Sequence, residues 1–244
     1  MTYCVGLRLN RGLVFMSDTR TNAGVDNISV FPKMFHWQTE GERALTLMTA
    51  GNLATTQSVV SLLNERALPA EERGSPSLLE VPSMYRAAEL VGQTLREVIA
   101  GQTDEGQTAD NFAGTMILGG QVRGGDPRLF LIYPEGNFIE VSDETPFFQI
   151  GETKYGKPII VRTIDADMSF EEAVKLLMLS FDSTIKANLS VGLPLDLHLY
   201  DVDSFRLGLQ RRIAAGDPFF EMLSSGWGDA LRTAFNSLPD YDLG

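Results

Sequence analysis

The chain has 244 residues, of which 43% are hydrophobic, and its formal net charge is −12 at pH 7. This length is enough for one large domain, and no linker-like change of composition divides it, so we expect a single domain over residues 1–244. The negative charge argues against nucleic acid and anionic membranes as partners, because binding to phosphates needs clustered Lys and Arg.

Targeting signals and disulfides are not expected either. No apolar run reaches the roughly 18 residues of a membrane span, and no basic segment followed by an apolar core opens the chain, so we expect no signal peptide. The one cysteine, Cys4, cannot form a disulfide within the chain, which fits a reducing compartment. We therefore expect a cytoplasmic location, with Cys4 as a buried small residue of the first strand.

Two segments at the start of the chain predict a β-hairpin. Residues 2–9 and 12–18 alternate between apolar and polar side chains or run apolar, and residues 10–12 separate them with a sequence typical of a tight turn. Thr2 then begins the first strand, and Asp18 ends the second.

A polar segment and a second hairpin follow. Residues 19–32 contain Asn, Gly, Asp and Pro, which favour a loop, and strands are predicted at 33–38 and 43–49. Lys33 thus begins a strand that we expect to lie beside the first hairpin. The segment 48–52 ends the second hairpin and opens a helix, because apolar residues then recur near helical spacing.

Helices and strands alternate in the rest of the chain. A long helix is predicted from about Pro82 to Ile99, and Ser169 with Glu172 forms a capping box for a helix that reaches about Ala187. The carboxy-terminal segment is rich in apolar residues and predicts a terminal helix that packs on this domain or on a neighbouring copy. The predicted strands, of which the first four should make a second sheet, are 111–121, 128–133, 137–142, 146–150 and 194–200.

Thr2 combines two catalytic groups if Met1 is removed. Its hydroxyl is a nucleophile, and its free α-amine, with an ordinary pKa of roughly 7.7 to 8.0, is a usable base near neutral pH. Asp18 and Lys33 follow within two strands and would add charge to such a site. The simpler interpretation is that Asp18 is a turn residue and Lys33 a solvated charge, and no single residue decides between the two.

The pattern around Thr2 resembles the amino terminus of mature proteasome β-subunits. Those subunits begin with Thr, carry Asp-x-Arg after the first hairpin and have a Lys on the next strand. Asp18 and Arg20 match these positions within the run TYCVGLRLNRGLVFMSDTRTNAG, and Lys33 matches the Lys on the next strand. The resemblance extends to about residue 205, and it is strongest with the bacterial ancestral β-subunits, which also begin Met-Thr without a propeptide.

This resemblance implies an N-terminal nucleophile hydrolase with an α+β fold, a four-layer α-β-β-α sandwich of two antiparallel sheets. The order of hairpins, helices and strands suggests the same architecture. By position in the family, Thr2 would attack a peptide carbonyl, and Lys33, held by Asp18, would stabilise the alkoxide. The N–H of Gly51 would bind the oxyanion. No cofactor and no metal are implied.

The resemblance implies three further site residues by their position in the family pattern. Glu152 stands where β-subunits have the Ser of a Gly-Ser-Gly segment that supports the threonine. Asn22 and Thr49 stand at substrate-binding positions. The interval from Asp18 to Lys33 is one residue shorter than usual, so the loop that carries Asn22 differs from that of the family.

One segment fits the family in two registers. β-subunits have Asp-x-x-Ser-Gly where this chain has residues 188–192. Aligning Gly192 puts Asn188 on the Asp and Val191 on the Ser, whereas a shift of one residue puts Ser190 on the Ser. The sequence leaves both registers open.

The resemblance also implies partners. We expect a homo-oligomer, either a ring or an open helical array, that cleaves peptides or unfolded protein, with an ATP-dependent partner as a further candidate. Residues 206–244 extend beyond a plain β-subunit, and their apolar composition favours a role in packing or assembly. Two alternatives stay open: a structural subunit whose active site is blocked, which retention of Met1 would favour, and a hydrolase of small non-peptide amides.

Overall fold

The computed structural model of the chain describes residues 2–22, 28–72, 76–102 and 109–243. Its strands are β1 (Tyr3–Leu9), β2 (Gly12–Asp18), β3 (Arg20–Asn22), β4 (Ile28–Val30), β5 (Met34–Thr39), β6 (Arg43–Gly51), β7 (Gly114–Val122), β8 (Arg128–Ile132), β9 (Phe138–Glu140), β10 (Phe147–Gly151), β11 (Leu195–Asp201) and β12 (Gln210–Ile213). Its helices are α1 (Leu53–Glu65), α2 (Met84–Gln102), α3 (Lys157–Thr163), α4 (Phe170–Ala187) and α5 (Pro218–Ser237), with 3₁₀ turns at Ala70–Glu72 and Ala109–Phe112.

The described strands form two five-stranded antiparallel sheets and one short hairpin. The first sheet has the order β10-β1-β2-β11-β12, and the second has the order β5-β6-β7-β8-β9. The first predicted hairpin is confirmed, because β1 and β2 pair from Cys4 opposite Ser17 to Leu9 opposite Gly12. Its turn therefore brings Thr2 and Asp18 to the same end of the sandwich.

The two sheets pack face to face, and helices cover their outer faces. Buried side chains between the sheets include Leu13 and Phe15 from the first sheet and Met48 and Ile117 from the second. A second core joins the second sheet to α1 and α2, and a third joins the first sheet to α3 and α4. This arrangement confirms the four-layer α-β-β-α sandwich, in which each sheet buries both of its faces.

The four strands predicted between residues 111 and 150 do not make one sheet, so that prediction was wrong. β10 crosses to the first sheet and pairs with β1, where Tyr3 lies opposite Gly151. Its residues reach two different cores, because Phe147 packs on the helix side and Ile150 packs between the sheets. Both sheets offer β10 two buried faces, so the apolar pattern of the strand does not reveal its partner.

The segment before Lys33 also differs from its prediction. Residues 20–22 and 28–30 pair as a short hairpin rather than remaining loop. Each of these strands has three residues, too few for an alternating pattern to show. β5 begins at Met34 and forms the edge of the second sheet. Lys33 therefore approaches the first hairpin from the opposite sheet.

The predicted helix starts are set by side-chain caps. Asn52 accepts a hydrogen bond from the Thr55 N–H and caps α1 directly after β6. Ser169 and Glu172 form the predicted capping box of α4. α2 begins at Met84 rather than at Pro82. The cap of α1 fixes the direction in which the chain leaves the end of β6.

The carboxy-terminal segment contributes one strand and one helix. β12 pairs with β11 at the edge of the first sheet, and Phe220 of α5 packs into the core beside α4. Whether residues 1–244 form a single domain with 206–244 as an extension stays a prediction. No helix in the four described ranges is long and apolar enough to cross a bilayer.

Candidate active site

Thr2 lies directly before β1, where neighbouring segments hold the backbone on both sides. The Glu152 N–H donates to Thr2 O at 2.7 Å, and the Tyr3 N–H donates to Asp18 Oδ1 at 2.9 Å. The Tyr3 ring is fully buried and lies 4.5 Å, centroid to centroid, from the ring of Phe181. The position of Thr2 is therefore set by β2, by β10 and by the helix under the sheet.

Lys33 reaches Asp18 across the sandwich. Lys33 Nζ donates to Asp18 Oδ1 at 2.8 Å and to Arg20 O at 2.6 Å, and both members of the ion pair are buried. Burial raises the pKa of Asp18, while the charge of Lys33 and the N–H groups of Tyr3 and Gly192 oppose that rise. The carboxylate and the carbonyl together hold the ammonium in one place.

A small pocket joins four of the predicted site residues. It has a volume of about 50 Å³. Its lining residues are Thr2, Thr21, Lys33, Thr49, Ala50, Gly51, Leu53 and Thr56. The structure thus brings Thr2, Lys33 and Gly51 to one opening, and Thr49 also lies in its wall.

Gly51 ends β6 with a φ of 115°, a conformation that L side chains rarely adopt, and a Cβ there would lie 2.4 Å from Ala113 O. Successive N–H groups of a strand point to opposite sides. The Thr49 N–H donates to Lys33 O, and the Asn52 N–H donates to Ala113 O on the other side. The Gly51 N–H therefore points to the side of β6 on which Lys33 and the pocket lie.

Glu152, whose N–H binds the backbone of Thr2, meets the segment after α4. Glu152 is 7% exposed, and its Oε2 accepts a hydrogen bond from Asn188 Nδ2 at 2.9 Å. Asn188 Oδ1 accepts in turn from the Ser190 N–H at 2.9 Å, while Val191 is fully buried in the core between the first sheet and its helices. Of the three residues left open by the sequence, Asn188 is the one placed against Glu152.

Arg20 connects the two halves of this site. Its carbonyl oxygen accepts the hydrogen bond from Lys33 Nζ, and its Nη1 donates to Leu189 O at 3.0 Å. A Cβ on Gly192 would lie 2.3 Å from the guanidinium carbon, so the turn at 188–192 packs closely around Arg20. From the sequence, Arg20 is identified only as a member of Asp-x-Arg. Its contact with the turn at 188–192 cannot be predicted, because the two segments are far apart along the chain.

Two predictions concern parts that the structure does not describe. These are the removal of Met1 and the substrate contact assigned to the side chain of Asn22, the last residue of β3. In the part of the chain that is described, no group of three or more His, Cys, Asp and Glu side chains is arranged to hold a metal ion.

The arrangement suits attack on a carbonyl group. Thr2, the buried Lys33 and Gly51 line one pocket, and fixed charges and dipoles of this kind stabilise a developing oxyanion better than water does. Cys4, the other candidate nucleophile, is fully buried, and burial raises the pKa of its thiol. A thiolate at Cys4 is therefore disfavoured.

Comparison with known proteins identifies the family of the chain. The family profile described as proteasome subunit matches residues 2–193. Anbu (ancestral beta-subunit) from Yersinia bercovieri is 51% identical, with 100% of each chain covered and a TM-score of 0.91. A Gly-1 mutant of Anbu from Hyphomicrobium sp. strain MC1 is 51% identical, with 100% of each chain covered and a TM-score of 0.92. No curated protein sequence matches.

A third structure extends the comparison to an assembly. The helical assembly of the Anbu complex from Pseudomonas aeruginosa is 46% identical, with 99% of each chain covered and a TM-score of 0.92. The predicted resemblance and the predicted fold are thus confirmed. The chain belongs to the proteasome subunit family, as a proteasome-like N-terminal nucleophile hydrolase similar over its whole length to the Anbu (ancestral beta-subunit) proteins.

Proposed function

We propose that this protein is a threonine-type peptidase whose nucleophile is Thr2, exposed as the first residue after removal of Met1. The observation that carries the proposal is that Thr2, Lys33 and Gly51 line the same pocket. Membership in a hydrolase family supports the same reaction class. The proposed location is cytoplasmic, and an ATP-dependent partner stays a prediction.

The reaction begins on Thr2 alone. Its Oγ attacks the carbonyl carbon of the scissile bond, and its α-amine accepts the hydroxyl proton. The same proton then passes to the leaving amine, which departs and leaves an ester on Thr2. Water, activated by the free α-amine, cleaves the ester and restores the hydroxyl.

Lys33 stabilises the negative charge that develops on the Thr2 oxygen. Its ammonium is already held by Asp18 Oδ1 and Arg20 O, so little reorganisation is needed when the charge forms. Asp18 has no part at the reacting atoms in this scheme. It acts through Lys33 and is therefore a positioning residue.

Gly51 supplies a hydrogen-bond donor for the carbonyl oxygen. Its N–H faces the pocket, and Ala113 O leaves no room for a Cβ at this position, so only glycine brings the backbone this close. The loss of one such donor costs about 10²- to 10³-fold in kcat in hydrolases. Loss of the Gly51 N–H as a donor is therefore expected to lower kcat by a comparable factor.

The proposed substrate is an extended peptide or an unfolded protein. The pocket holds only about 50 Å³, and its wall includes Thr21, Thr49 and Thr56. Small polar walls give no large apolar surface to recognise, so we expect no strong preference for a large side chain beside the scissile bond. Asn22 is proposed to contact the substrate from the end of β3.

Copies of the chain are proposed to assemble through the second half of α5. The helix is exposed from Asp229 to its end at Ser237. Leu231 and Phe235 are exposed by 51% and 76%, and Leu238, directly after the helix, is exposed by 67%. Apolar side chains in such number are rarely left in water. The helical assembly of the related Pseudomonas aeruginosa complex supports a homo-oligomer, and whether the array closes depends on the rotation between subunits.

Replacing Leu231 and Phe235 together with Asp is expected to give a smaller particle, because carboxylates cannot be buried unpaired in an apolar contact. Size-exclusion chromatography with light scattering at micromolar concentration measures the change. The matched control places Asp at Thr233 and Ser237, two exposed positions on the opposite face of α5, and it should keep the wild-type mass. Equal masses for the Leu231/Phe235 variant and the wild type would contradict an α5 interface.

Peptide cleavage is expected to rise in proportion to the fraction of chains that begin at Thr2. A retained Met1 turns the Thr2 amine into an amide, which is not a base near neutral pH, and places a bulky side chain where the substrate must approach. Intact-mass spectrometry measures that fraction in the same sample used for the assay. For samples with different degrees of Met1 removal, a plot of cleavage rate against the fraction of chains that begin at Thr2 should then be a straight line through the origin.

The same assay separates the proposed function from its alternatives when unfolded protein, short peptides and small amides are tested side by side. Turnover of small amides alone would replace the peptidase by a small-amide hydrolase. A fully processed sample without any turnover would favour a structural subunit. Full turnover in a sample whose every chain retains Met1 would exclude the amine as base.

A further inference from the structure

A cleft, which we call the edge cleft, opens where an edge strand of each sheet borders the space between the two sheets. Among the described strands, β5 pairs only with β6, and β12 pairs only with β11. The edge cleft has a volume of about 310 Å³. Its two rims contribute Pro32, Met34 and His36 on one side and Gln210, Arg211 and Arg212 on the other.

The β5 rim directs backbone groups away from its own sheet. The Thr49 N–H donates to Lys33 O. In an antiparallel pair, residues that bond to the neighbouring strand alternate with residues whose N–H and C=O point away from it. The backbone groups of Met34 and His36 therefore point away from β6, and the same two residues line the edge cleft.

The β12 rim has the same arrangement. The Leu199 N–H donates to Leu209 O, so the N–H and C=O of Gln210 and Arg212 point away from β11. A sheet edge of this kind is a template to which an extended peptide can add as a further strand.

A polar bridge beside the edge cleft joins the two sheets. Thr46 Oγ1 lies 3.1 Å from His36 Nδ1 and 2.9 Å from His198 Nδ1. Thr46 and His36 belong to the second sheet, whereas the buried His198 belongs to β11 of the first. The bridge fixes the spacing of the two rims, so the edge cleft is formed before any peptide enters it.

The lining of the edge cleft combines apolar surface with an excess of positive charge. Arg212 donates to Asp196 through Nε at 2.7 Å and through Nη2 at 2.9 Å, so these two charges compensate each other. The remaining charged residue of the lining is Arg211, which is exposed. Pro32 and Met34 add apolar wall. Such a cleft suits an extended segment that carries both apolar side chains and carboxylates.

The end of the chain has this composition. The tail, residues 238–243, begins with an extended residue of φ −84° and ψ 149° directly after α5. In an extended chain, Tyr241 and Leu243 lie on one face, and Asp240 and Asp242 lie on the other. Tyr241 and Leu243 are exposed by 87% and 91%. The tail therefore does not fill the edge cleft of its own chain.

A second copy can supply the tail. An isologous contact in which two α5 helices run antiparallel carries the tail of one copy toward the start of α5 in the other. That start, Pro218, follows the end of β12 at Ile213 after four residues. An extended tail spans roughly 20 Å, which equals the rise of about 13 helical residues. A tail that leaves the second half of one α5 thus reaches β12 beside the other.

We propose that the tail of one copy adds as a strand to β12 in the edge cleft of a second copy. This inference rests on the assembly in the proposed function. Tyr241 and Leu243 then point between the sheets. Arg211 lies opposite Leu197, which packs on the helix side of the first sheet, so Arg211 shares its face with the carboxylate of Asp240.

Photo-crosslinking tests this contact in the full chain. Tyr241 is replaced by p-benzoylphenylalanine, which keeps an aromatic ring and bonds to a neighbouring C–H group on irradiation. We expect a covalent species with the mass of two chains on a denaturing gel, and mass spectrometry should locate the crosslink in residues 32–36 or 210–212. The matched control carries the same group at Tyr85, an exposed aromatic residue of α2, and should give no crosslink to the edge cleft.

Arg211→Glu is expected to lower the crosslinking yield from position 241 by at least about threefold, because a like charge then stands beside Asp240. Arg96→Glu makes the same change at an exposed position of α2 and should leave the yield unchanged. Far-UV circular dichroism confirms that both variants are folded. Equal yields in the two variants would remove Arg211 from the recognition of the tail.

The position of the crosslink decides the inference in a sample that light scattering shows to be assembled. Crosslinks from position 241 that all lie outside the edge cleft would overturn it. Crosslinks to the edge cleft in a species with the mass of a single chain would show that each tail binds its own chain, and the assignment to a second copy would be wrong.

A monomer in light scattering would end the proposed assembly rather than the docking site. A fluorescent peptide of residues 238–244 then tests the edge cleft directly by fluorescence anisotropy. Saturable binding that Arg211→Glu weakens supports the docking site, and no binding up to millimolar peptide overturns it. Neither measurement uses turnover, so the peptidase proposal is tested separately.

Discussion

Thr2→Ala is expected to lose peptide cleavage by at least about 10³-fold while remaining folded and assembled. The substitution removes the nucleophile and keeps the α-amine, and the partners of the backbone, Glu152 N–H and the Tyr3 bond to Asp18, do not depend on the side chain. The loss should fall on kcat, because the ester on Thr2 cannot form. Initial rates on a fluorogenic peptide, with the amino terminus checked by intact mass, measure it.

Thr2→Ser is the matched control for this experiment, because it keeps a hydroxyl beside an α-amine. Measurable turnover is expected from Thr2→Ser, and both variants should match the wild type in circular dichroism and in particle mass. Undiminished cleavage by a folded, fully processed Thr2→Ala protein would contradict the assignment of the nucleophile.

Much of the fold is predictable from the sequence because the signals are local. β1 and β2 have seven residues each and a tight turn between them, and the capping box at Ser169 and Glu172 satisfies N–H groups within one turn of helix. The partner of β10 is not a local property. Phe147 and Ile150 would be buried in either sheet, so only the packed structure shows that β10 closes against β1.

The candidate site, like the fold, has parts that the sequence predicts and parts that only the packed structure shows. Thr2, Asp18 and Lys33 can be named from the sequence because they match a family pattern. Their contact cannot be predicted from spacing: Lys33 precedes the edge strand of the second sheet, yet its Nζ lies 2.8 Å from Asp18 Oδ1 in the first sheet. Glu152 and Asn188 each depart from that pattern, and in the sequence they are two unrelated differences. In the structure they form one hydrogen-bonded pair, so the two departures have a common physical explanation.

Lys33→Met is expected to lose nearly as much cleavage as Thr2→Ala and also to lower the free energy of unfolding by about 3–5 kcal/mol, because Asp18 stays buried without its partner. Burial already raises the pKa of Asp18, and Lys33 opposes that rise, so its removal raises the pKa further. The folded variant then binds a proton more tightly than the unfolded chain. Its stability should therefore fall as the pH rises from the ordinary Asp value of about 3.9 through the raised value. Urea denaturation at pH 5 and pH 8 tests this, with the larger destabilisation expected at pH 8.

Adding Asp18→Asn to Lys33→Met separates the chemical role of Lys33 from its structural role. The double variant buries no charge at these two positions, and the Asn oxygen can still accept the hydrogen bond from the Tyr3 N–H. Replacing both members of a buried ion pair is often close to neutral for stability, so we expect the free energy of unfolding to recover toward the wild-type value. Cleavage should stay lost, because no ammonium faces the Thr2 oxygen when its charge develops. If cleavage returned together with stability, Lys33 would act only by supporting the fold around Thr2, and its charge would not be needed at the Thr2 oxygen.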